Sequence, residues 1–583
     1  MKWILLIVGL MLLVGIALAA TPPTVYIDTD GSGDYDCDGT DDHVQINQAL
    51  AFVGSTAGYT TVHLNGSNTY WIDLTLNMYE NSIFQGDSDA EIKLINNAGW
   101  ASSVPLISNT TDGSTNFTIQ GFTISGNSEN QPESVGAGYY NLMYFYNCNN
   151  ITVDNMRLEW GLGDGLKVYA LGAYIGDPTF VTFTNNSVYR LGHDALYCVR
   201  INNITAHDND IFARANSAIR LSDSGNATIY DNELYSSTSL VIQDLSGPGI
   251  QIDINPTRVV YDIEIYNNTI HTLKGSGILI TNENNVDAIN AYDVHIHHNT
   301  FYNVGQYTID SGYQNAAITI GHSNNTIIEN NIIDNGGHAG IKYFIKPAYY
   351  KIQADFTTIV RNNIIINTDG QTTSPPGPGA GIWNCNDTRH TFISDNNCFY
   401  NNTELYNGTN ITYSNDIQQD PLFYNESDND YHLNSTIGTW NGTEWEVMTT
   451  YSPCIDAGKT TSDYSLEPIP NGGIINIGRY GGTVYASKST PVVTFIDPTL
   501  DNNSITVNNY VEVNASISTN NLTDFIWNWN STNYTLLNNS CVMYLSLNNN
   551  SAIGESSTTV VDVSPAGVNG SIIDTVNNTW TDD

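Results

Sequence analysis

Apolar and polar residues alternate in a phrase that recurs nine times between residues 149 and 400. The phrase reads apolar, any, apolar, any, Asn or Asp, Asn, any, apolar, and one copy runs from Val181 to Val188. Alternation with a period of two predicts a short strand. Paired Asn residues tolerate the left-handed backbone of a sharp turn. Each copy therefore predicts one strand followed by one tight turn.

The second residue of each pair recurs every 23 to 36 positions, which fits coils of about two dozen residues with insertions on one side. Stacking such coils brings equivalent residues to about 4.8 Å, so each Asn amide can hydrogen-bond to the next. We therefore predict an all-β parallel β-helix in which the Asn column is scaffold. Its members are Asn186, Asn209, Asn232, Asn268, Asn299, Asn331, Asn363 and Asn397.

A small residue followed by an aliphatic one often comes nine positions after this column, and aligning the coils on that step groups polar residues. Asp164 is then placed beside Asp194, with Ser217 one coil further, and the outward residues after the step are Lys167, Tyr197 and Arg220. Six of the 18 basic residues fall within one stretch of 64 residues, 157–220. They are Arg157, Lys167, Arg190, Arg200, Arg214 and Arg220.

This grouping suggests chemistry on polysaccharides. Stacked carboxylates raise one another's pKa or hold a cation, and a neighbouring Lys, Arg or His can then move a proton. Such a set suits β-elimination of a uronic acid, and two carboxylates suit glycoside hydrolysis. The competing interpretation is structural, with Asp at coil turns and salt bridges. The candidate residues are Asp164, Lys167, His193, Asp194 and Arg220 for catalysis, and Tyr197 and Arg200 for substrate binding.

The charge balance limits the possible partners. The 583 residues include 18 Lys and Arg against 59 Asp and Glu, a formal net charge of -41. Such a chain is repelled by nucleic acid and by anionic membranes, and it attracts cations such as calcium.

An acidic, Gly-rich segment opens the chain between Asp28 and Asp42. Asp34, Asp36 and Asp38, with Gly39, match the first half of a calcium loop, although its last position is Gln45 rather than Glu. The alternative is a solvated turn in which Thr40, Asp41 and Asp42 cap a helix over residues 44–53. That helix is predicted to cover the first coil.

The first 20 residues have the positive start, apolar middle and small-residue exit of a secretory signal, and no second apolar stretch long enough to span a membrane follows. Many Asn-x-Ser/Thr sites fit a glycosylated exterior. Of the seven cysteines, Cys385 and Cys398 flank one coil and could form a disulfide.

Three later segments carry a family resemblance: Asp420–Phe423, Ser452–Gly458 and Glu467–Thr483. They resemble the last coils and the C-terminal cap of secreted right-handed parallel β-helix proteins of the pectate-lyase-like superfamily. The resemblance covers roughly residues 24–489. It implies the fold but leaves the activity open, because that superfamily includes lyases, hydrolases, epimerases, adhesins and surface-layer proteins.

A second module is predicted from Thr490. Its alternating stretches, 510–517 and 524–530, fit a β-sandwich. Residues 525–535 resemble segments between repeat domains of methanogen cell-surface proteins. We therefore expect a signal peptide at 1–20, a β-helix with both caps at 21–489 and a sandwich-like module, incomplete or abbreviated, at 490–583.

Two functions remain open at this stage. The first is a secreted cell-surface glycoprotein, an envelope or adhesion component that binds polysaccharide, self-assembles and takes up calcium. The alternative is a polysaccharide-active enzyme, a uronate lyase, epimerase or glycoside hydrolase. A third pattern is weaker: His295, His297 and His298 lie close together on one strand and could meet a metal, although His298 occupies an Asn position.

Overall fold

A computed structural model describes most of the chain. It covers residues 23–490 except 102, 133–139, 171–178, 214–215, 238–246, 255–257, 282–290, 307–314, 345–354, 371–376 and 386–388. Beyond 490 it covers residues 493–497, 499, 514–517, 525–529, 532–537, 559–560 and 570–571. The predicted signal peptide lies outside the described residues.

The chain divides into two units, residues 1–192 and 193–583, and in each unit a coil contributes one strand to each of three parallel sheets. In the first unit, the first sheet contains Thr24–Asp28, Tyr35–Asp36, Thr61–Leu64, Ser82–Gly86, Thr115–Gln120, Asn149–Asp154 and Val181–Thr184. The second contains Thr69–Ile72, Glu91–Leu94, Thr123–Ser125, Arg157–Glu159 and Ser187–Tyr189. The third contains Leu76–Met78, Ile107–Asn109, Met143–Tyr146 and Leu166–Tyr169.

The second unit repeats this arrangement. Its first sheet contains Asn202–His207, Gly225–Tyr230, Val260–Tyr266, Ala291–His297, Ser323–Asn324, Thr326–Glu329, Phe356–Arg361, His390–Asp395 and Ile411–Ser414. Its second contains Asp210–Phe212, Glu233–Tyr235, Thr269–His271, Thr300–Tyr302, Ile332–Asp334, Ile364–Ile366 and Cys398–Tyr400. Its third contains Leu196–Val199, Ile219–Ser222, Ile250–Asp253, Ile278–Thr281, Ala316–Ile320, Ala339–Tyr343, Ala380–Asn384 and Glu404–Gly408.

The paired Asn positions form the turn between the first and second sheets, as the sequence predicts. The first residue of each pair has a left-handed backbone, with φ 54° at Asn267 and 51° at Asn330. The second is buried and faces the interior. In the second unit, each of these side-chain amides donates to the next Asn oxygen at 2.8 to 3.0 Å, from Asn209 through to Asn397. The predicted Asn ladder is confirmed.

An α-helix, α1, covers His43–Ser55, which confirms the helix predicted over 44–53. Its apolar side packs against Thr24–Asp28 and Leu76–Met78. The predicted capping by side chains was wrong, because the helix start receives no side-chain hydrogen bond. The carboxylate of Asp42 instead accepts hydrogen bonds from the Gly39 and Trp71 amides at 3.0 and 2.8 Å, which closes the acidic segment.

After Ser414 the chain runs back along the outside of the preceding coils of the second unit. This returning segment contains 3-10 helix Glu426–Asp428 and the antiparallel pairs Phe423–Asn425 with Asp430–Leu433, and Thr439–Trp440 with Trp445–Glu446. Its contacts run backward: Ala457 accepts from Asn396, Gly478 from Asn330, and Gly481 from His298. The side chains of the first residues of the paired Asn positions therefore bind the returning segment through hydrogen bonds. The sequence did not indicate this role.

Arg479 fixes this returning segment to the coils. Its guanidinium donates to Thr300 Oγ1 at 2.7 Å, to Thr269 Oγ1 at 3.1 Å and to the Asn267 carbonyl at 3.2 Å. An Arg presents several donors in a planar fork, so one side chain joins two successive coils here.

The cysteines do not form the suggested bridge. Cys385 and Cys398 are both free and buried. Cys385 follows a third-sheet strand, whereas Cys398 begins a second-sheet strand and packs in the core with Ile364 and Cys454. They therefore belong to different faces of the coil, although they flank the same turn in sequence.

From residue 491 onward, the described residues form three antiparallel strand pairs. These are Val493–Ile496 with Asn514–Ile517, Phe525–Trp529 with Thr532–Leu537, and Thr559–Val560 with Gly570–Ser571. Antiparallel pairing distinguishes this part from the parallel coils.

Candidate functional site

One outward column of the third sheet carries most of the candidate residues. We call it the third-sheet column: the position directly after the aliphatic residue of each small-aliphatic step. In-register pairing aligns Tyr197 with Arg220 and Arg220 with Gln251. The flanking residues Leu196, Ile219 and Ile250 point into the core. The column continues with Leu279, Thr319, Lys342 and Trp383. Of these positions Gln251, Leu279, Thr319 and Lys342 are buried, whereas Trp383 is partly exposed.

Asp194 lies at the turn that leads into this column and is fully buried. Its carboxylate accepts a hydrogen bond from the Ser217 amide at 2.9 Å, which confirms that Ser217 lies one coil further. His193 Nδ1 is 3.1 Å from Asp194 Oδ2, and His193 Nε2 is 3.1 Å from the Asn216 side-chain amide. About a fifth of the His193 side chain is exposed, at 21%. The result is a partly exposed imidazole held by a buried carboxylate.

Arg220 lies between two carboxylates and beneath an aromatic ring. Its guanidinium contacts Asp253 through two nitrogens and lies 3.9 Å from Asp194 Oδ2. The guanidinium carbon is 5.0 Å from the centre of the Tyr197 ring, within cation–π range. Gln251 donates to Asp253 at 2.7 Å and fixes that carboxylate. The structure thus brings His193, Asp194, Tyr197 and Arg220 together.

Arg200 belongs to a different group. Its Nε lies 3.8 Å from Asp223 Oδ2, and Arg258 Nε lies 3.6 Å from the same oxygen. Two guanidinium groups therefore share one carboxylate. Sequence reasoning did not single out Asp223 or Arg258, and nothing in the spacing of Arg258 would have identified it.

Asp164 and Lys167 lie in the first unit. Asp164 is buried, and its backbone amide donates to the side chain of Asn141 at 2.9 Å. Lys167 is in the same column as Tyr144, its in-register neighbour, and its ammonium lies 5.9 Å from that ring centre. Beside this pair the rings of Tyr146 and Tyr169 are stacked, with centres 5.6 Å apart.

The sequence cluster of basic residues does not form one patch. Arg157 is mostly exposed and pairs with Glu159 on the second sheet at 2.6 Å. Arg190 follows a second-sheet strand and lies over the rings of Trp160 and Tyr189, at 5.4 and 5.5 Å. Arg214 lies outside the described residues. Of the five that the structure describes, Lys167 and Arg220 occupy the third-sheet column and the other three do not, because residues close in sequence pass through all three faces of a coil.

Sequence reasoning missed Lys342 and Trp383. Lys342 follows the Gly340-Ile341 step just as Lys167 follows its own step, so the same alignment would have found it. It is buried, donates to Asn315 at 2.8 Å and lies 4.4 Å from the centre of the Trp383 ring. Burial lowers the pKa of Lys342 to about 8. Burial, with the nearby Lys342, lowers the pKa of His338 to about 4.

The histidines of strand Ala291–His297 form a second group, on the outer side of the first sheet. His297 Nε2 lies 3.2 Å from Glu264, and His295 Nε2 lies 2.8 Å from Glu329. His298 contacts His297 through the two Nδ1 atoms at 2.7 Å. Burial, with the neighbouring His295 and His298, lowers the pKa of His297 to about 3.

The carboxylates of the acidic opening segment accept hydrogen bonds from backbone amides and from neighbouring side chains. Asp34 accepts a hydrogen bond from the Tyr26 amide and Asp38 from the Thr40 amide, both at 2.9 Å. Asp36 is exposed. Asp28 receives several donors, chiefly Asn65, and these lower the pKa of its carboxyl to about 2. Calcium binding by Asp34, Asp36 and Asp38 stays a prediction.

Two family models match the chain. One, described as "Right handed beta helix region", matches residues 140–320. The parallel three-sheet coils described above have that same organisation. The chain is a right-handed parallel β-helix. A second model, described as "Disaggregatase related", matches residues 260–458 of the β-helix and its returning segment. No curated protein matches the chain.

Several solved structures are similar to this β-helix. The A-module of mannuronan C-5 epimerase AlgE6 from Azotobacter vinelandii is 15% identical, with a TM-score of 0.41, and the match covers 66% of this chain and 97% of that one. The Dettilon tailspike protein is 17% identical, with a TM-score of 0.46 and coverage of 67% and 68%. The surface protein and adhesin PfbA from Streptococcus pneumoniae is 15% identical, with a TM-score of 0.40 and coverage of 64% and 93%.

In the part of the chain that the structure describes, no helix of the β-helix protein has the length and apolar character needed to cross a membrane.

Proposed function

We propose that this protein is a secreted cell-surface β-helix that binds a polysaccharide through partly exposed cation–aromatic pairs on its third sheet. The observation that carries the proposal is a repeated pairing of a cation with an aromatic ring. Lys167 pairs with Tyr144 in the first unit and Arg220 with Tyr197 in the second, each across adjacent coils, and all four residues are partly exposed. Lys342 pairs with Trp383 in the same way but is fully buried, so it offers no surface to a ligand.

These pairs supply what sugar recognition needs. An aromatic face gives a sugar ring an apolar platform, and a few fixed polar groups set its orientation. Tyr144 and Tyr197 are half-buried, so part of each ring contacts solvent.

Local charge favours a neutral or amino sugar near Arg220. Two carboxylates, Asp194 and Asp253, lie beside the Arg220 guanidinium and offset its positive charge. A uronate would fit better at Arg200 and Arg258, which share Asp223. Calcium, attracted by the net charge of -41, could bridge the acidic surface to an acidic glycan.

Binding should be tested against soluble neutral, amino and uronate-containing polysaccharides by calorimetry. We expect Tyr144→Ala and Tyr197→Ala each to weaken binding about twofold to tenfold through loss of ring contacts. The matched control is Trp71→Ala, because Trp71 pairs with Lys93 at 5.7 Å on the second sheet. Equal weakening by Trp71→Ala, or no binding to any polysaccharide, would contradict the proposal.

The cell-surface role has a separate test. In fractionated cells the protein should stay with the envelope and form multimers as calcium is raised. Monomer released freely into the medium would argue against an envelope component.

A second candidate function is enzymatic, favoured by the His193–Asp194 pair. An imidazole held by a buried carboxylate is suited to proton abstraction, and a nearby guanidinium can neutralise a uronate carboxylate. The groups involved would be His193 as base, Asp194 as its positioning carboxylate, and Arg220 or Arg200 on the substrate, all within the second unit.

Incubation with uronate polysaccharides and calcium distinguishes this candidate. A lyase would produce unsaturated ends that absorb in the near ultraviolet, an epimerase would change the uronate signals in proton spectra, and a hydrolase would release reducing ends. His193→Gln should abolish the activity while binding persists. Binding without turnover on the whole panel would leave the adhesive role alone.

A further inference from the structure

We propose that Glu264, His295 and His297 form a binding site for a divalent transition metal, of which zinc is the best fit, on the outer face of the first sheet. One donor atom from each of the three residues lies within 4.8 Å of the other two. Ligands of a tetrahedral zinc ion stand about 3.3 Å apart, so small side-chain movements would close the site. The site is separate from the third-sheet column.

Parallel in-register pairing creates this arrangement. Glu264 lies directly opposite His295 on the neighbouring strand, and His297 points to the same side two residues later. The rings of His295 and His297 are 4.2 Å apart. Glu264 is about half exposed, at 49%, so an ion can reach the site from solvent.

A chain of hydrogen bonds gives an independent reason to expect a cation. The Gly481 carbonyl can only accept, so His298 Nε2, 3.0 Å away, carries the proton. In its neutral form His298 then offers a lone pair at Nδ1, which takes the proton of His297 Nδ1. A neutral His297 is left with its lone pair on Nε2, and that atom lies 3.2 Å from the Glu264 carboxylate. Two acceptors facing each other are relieved by a cation between them.

Neighbouring groups would orient the ligands. Glu329 Oε1 lies 2.8 Å from His295 Nε2, within hydrogen-bond distance. The other carboxylate oxygen of Glu329 forms a salt bridge with Arg361 Nε at 2.5 Å. A histidine ligand in a metal site typically donates its other ring nitrogen to a carboxylate or carbonyl in this way. His298, fixed by Gly481, does the equivalent for His297. Two imidazoles and one carboxylate favour zinc over calcium, which prefers oxygen ligands.

The test is calorimetric titration of the untagged full chain with zinc, in excess calcium so that oxygen-only sites are filled. We expect one zinc site whose affinity falls at least about tenfold in His295→Gln and in His297→Gln. Cobalt should give visible absorption bands in the wild type that both variants lose. Circular dichroism establishes that each variant is folded.

His271→Gln is the matched control. His271 Nε2 lies 3.2 Å from Glu233, and its ring stacks between Tyr235 and Tyr302. Among the residues that the structure describes, it is not part of a group of three potential metal ligands. It should bind zinc as the wild type does. Should either ligand variant fail to fold, the exposed Glu264→Gln carries the test alone. Absence of zinc binding, unchanged binding in the ligand variants, or equal loss in His271→Gln would overturn the site.

Discussion

The side-chain amide of Asn299 donates to the side-chain oxygen of Asn331 at 3.0 Å, one coil away. The same amide group donates to the carbonyls of Ile265 and His297, both at 2.9 Å. Asn299 is fully buried. One side chain therefore joins three coils at a point without access to water, and the ladder it belongs to ends on Asp416, which accepts from Asn397 at 3.1 Å.

Replacement of Asn299 by Ala should lower the stability of the β-helix strongly. The change leaves the buried carbonyls and the amides that Asn299 served without partners, and each such group costs about 1 to 3 kcal/mol. We expect a total loss of about 3 kcal/mol or more, measured as a shift in the urea unfolding midpoint.

The control is Asn303→Ala. Asn303 also belongs to an Asn–Asn pair, accepting from Asn335 at 2.8 Å, but it is exposed. Its loss should cost about 1 kcal/mol, mainly because Ala tolerates the left-handed backbone poorly. Equal shifts for the two variants would show that the buried ladder is not what stabilises the coils.

The ladder was predictable because its signal is local and repeated. The alternation of apolar and polar residues with a period of two predicted where the strands lie, and the Asn pair predicted where each turn lies. The position of Ser217 beside Asp194 was predictable for the same reason, since it follows from aligning equivalent steps of adjacent coils.

Other features were not predictable from local pattern. The returning segment contacts coils up to 212 residues earlier, and no periodicity marks which residues will meet. His298 illustrates this: it stands where most coils have Asn, and the reason is its contact with the Gly481 carbonyl. The clustering of basic residues between 157 and 220 wrongly suggested a single site. Residues that are close in sequence there lie on different faces of the coil.

Removal of the Arg479 side chain should release the returning segment. In Arg479→Met the contacts to Thr269, Thr300 and the Asn267 carbonyl are lost, and hydrogen bonds from a charged donor contribute about 1.5 to 3 kcal/mol each. We expect amide hydrogen exchange of residues 459–489 to accelerate at least about tenfold, while the strands of the first unit keep their protection. The control is Arg157→Met, at an exposed Arg, which should leave amide exchange unchanged both in residues 459–489 and in the first unit. Unaltered exchange of residues 459–489 in Arg479→Met would rule out the anchoring role.

Calcium binding by the acidic opening segment is expected to be weak. Asp34 and Asp38 each have one carboxylate oxygen that already accepts a hydrogen bond from a backbone amide. The loop also lacks the final Glu of a complete calcium loop. We expect a dissociation constant on the order of 1 mM, weakened further in Asp36→Asn. Titration calorimetry of wild type and variant measures this, with the exposed Asp428→Asn as control. Identical calcium binding in both variants would place the ion elsewhere.

Glu467 should make the stability of the returning segment depend on pH. Its carboxylate accepts from the Asn476 and Gly482 amides at 2.8 Å, yet burial raises its pKa from the ordinary 4.5 to about 7. Between these values the folded state binds more protons than the unfolded state. Stability from this group is therefore complete below about pH 4.5 and is lost as the pH rises through about 7.

Glu467→Gln should remove that dependence. An amide oxygen still accepts from both backbone amides, but it does not ionise, so the variant should be more stable than the wild type above pH 7. The difference between the two pKa values corresponds to about 3 kcal/mol at most. Unfolding midpoints measured from pH 4 to pH 8 test this, with Glu444→Gln, an exposed residue, as the control. If the variant kept the wild-type slope, the pH dependence would have to arise from another buried acid, and Glu467 would be ionised in the fold at neutral pH.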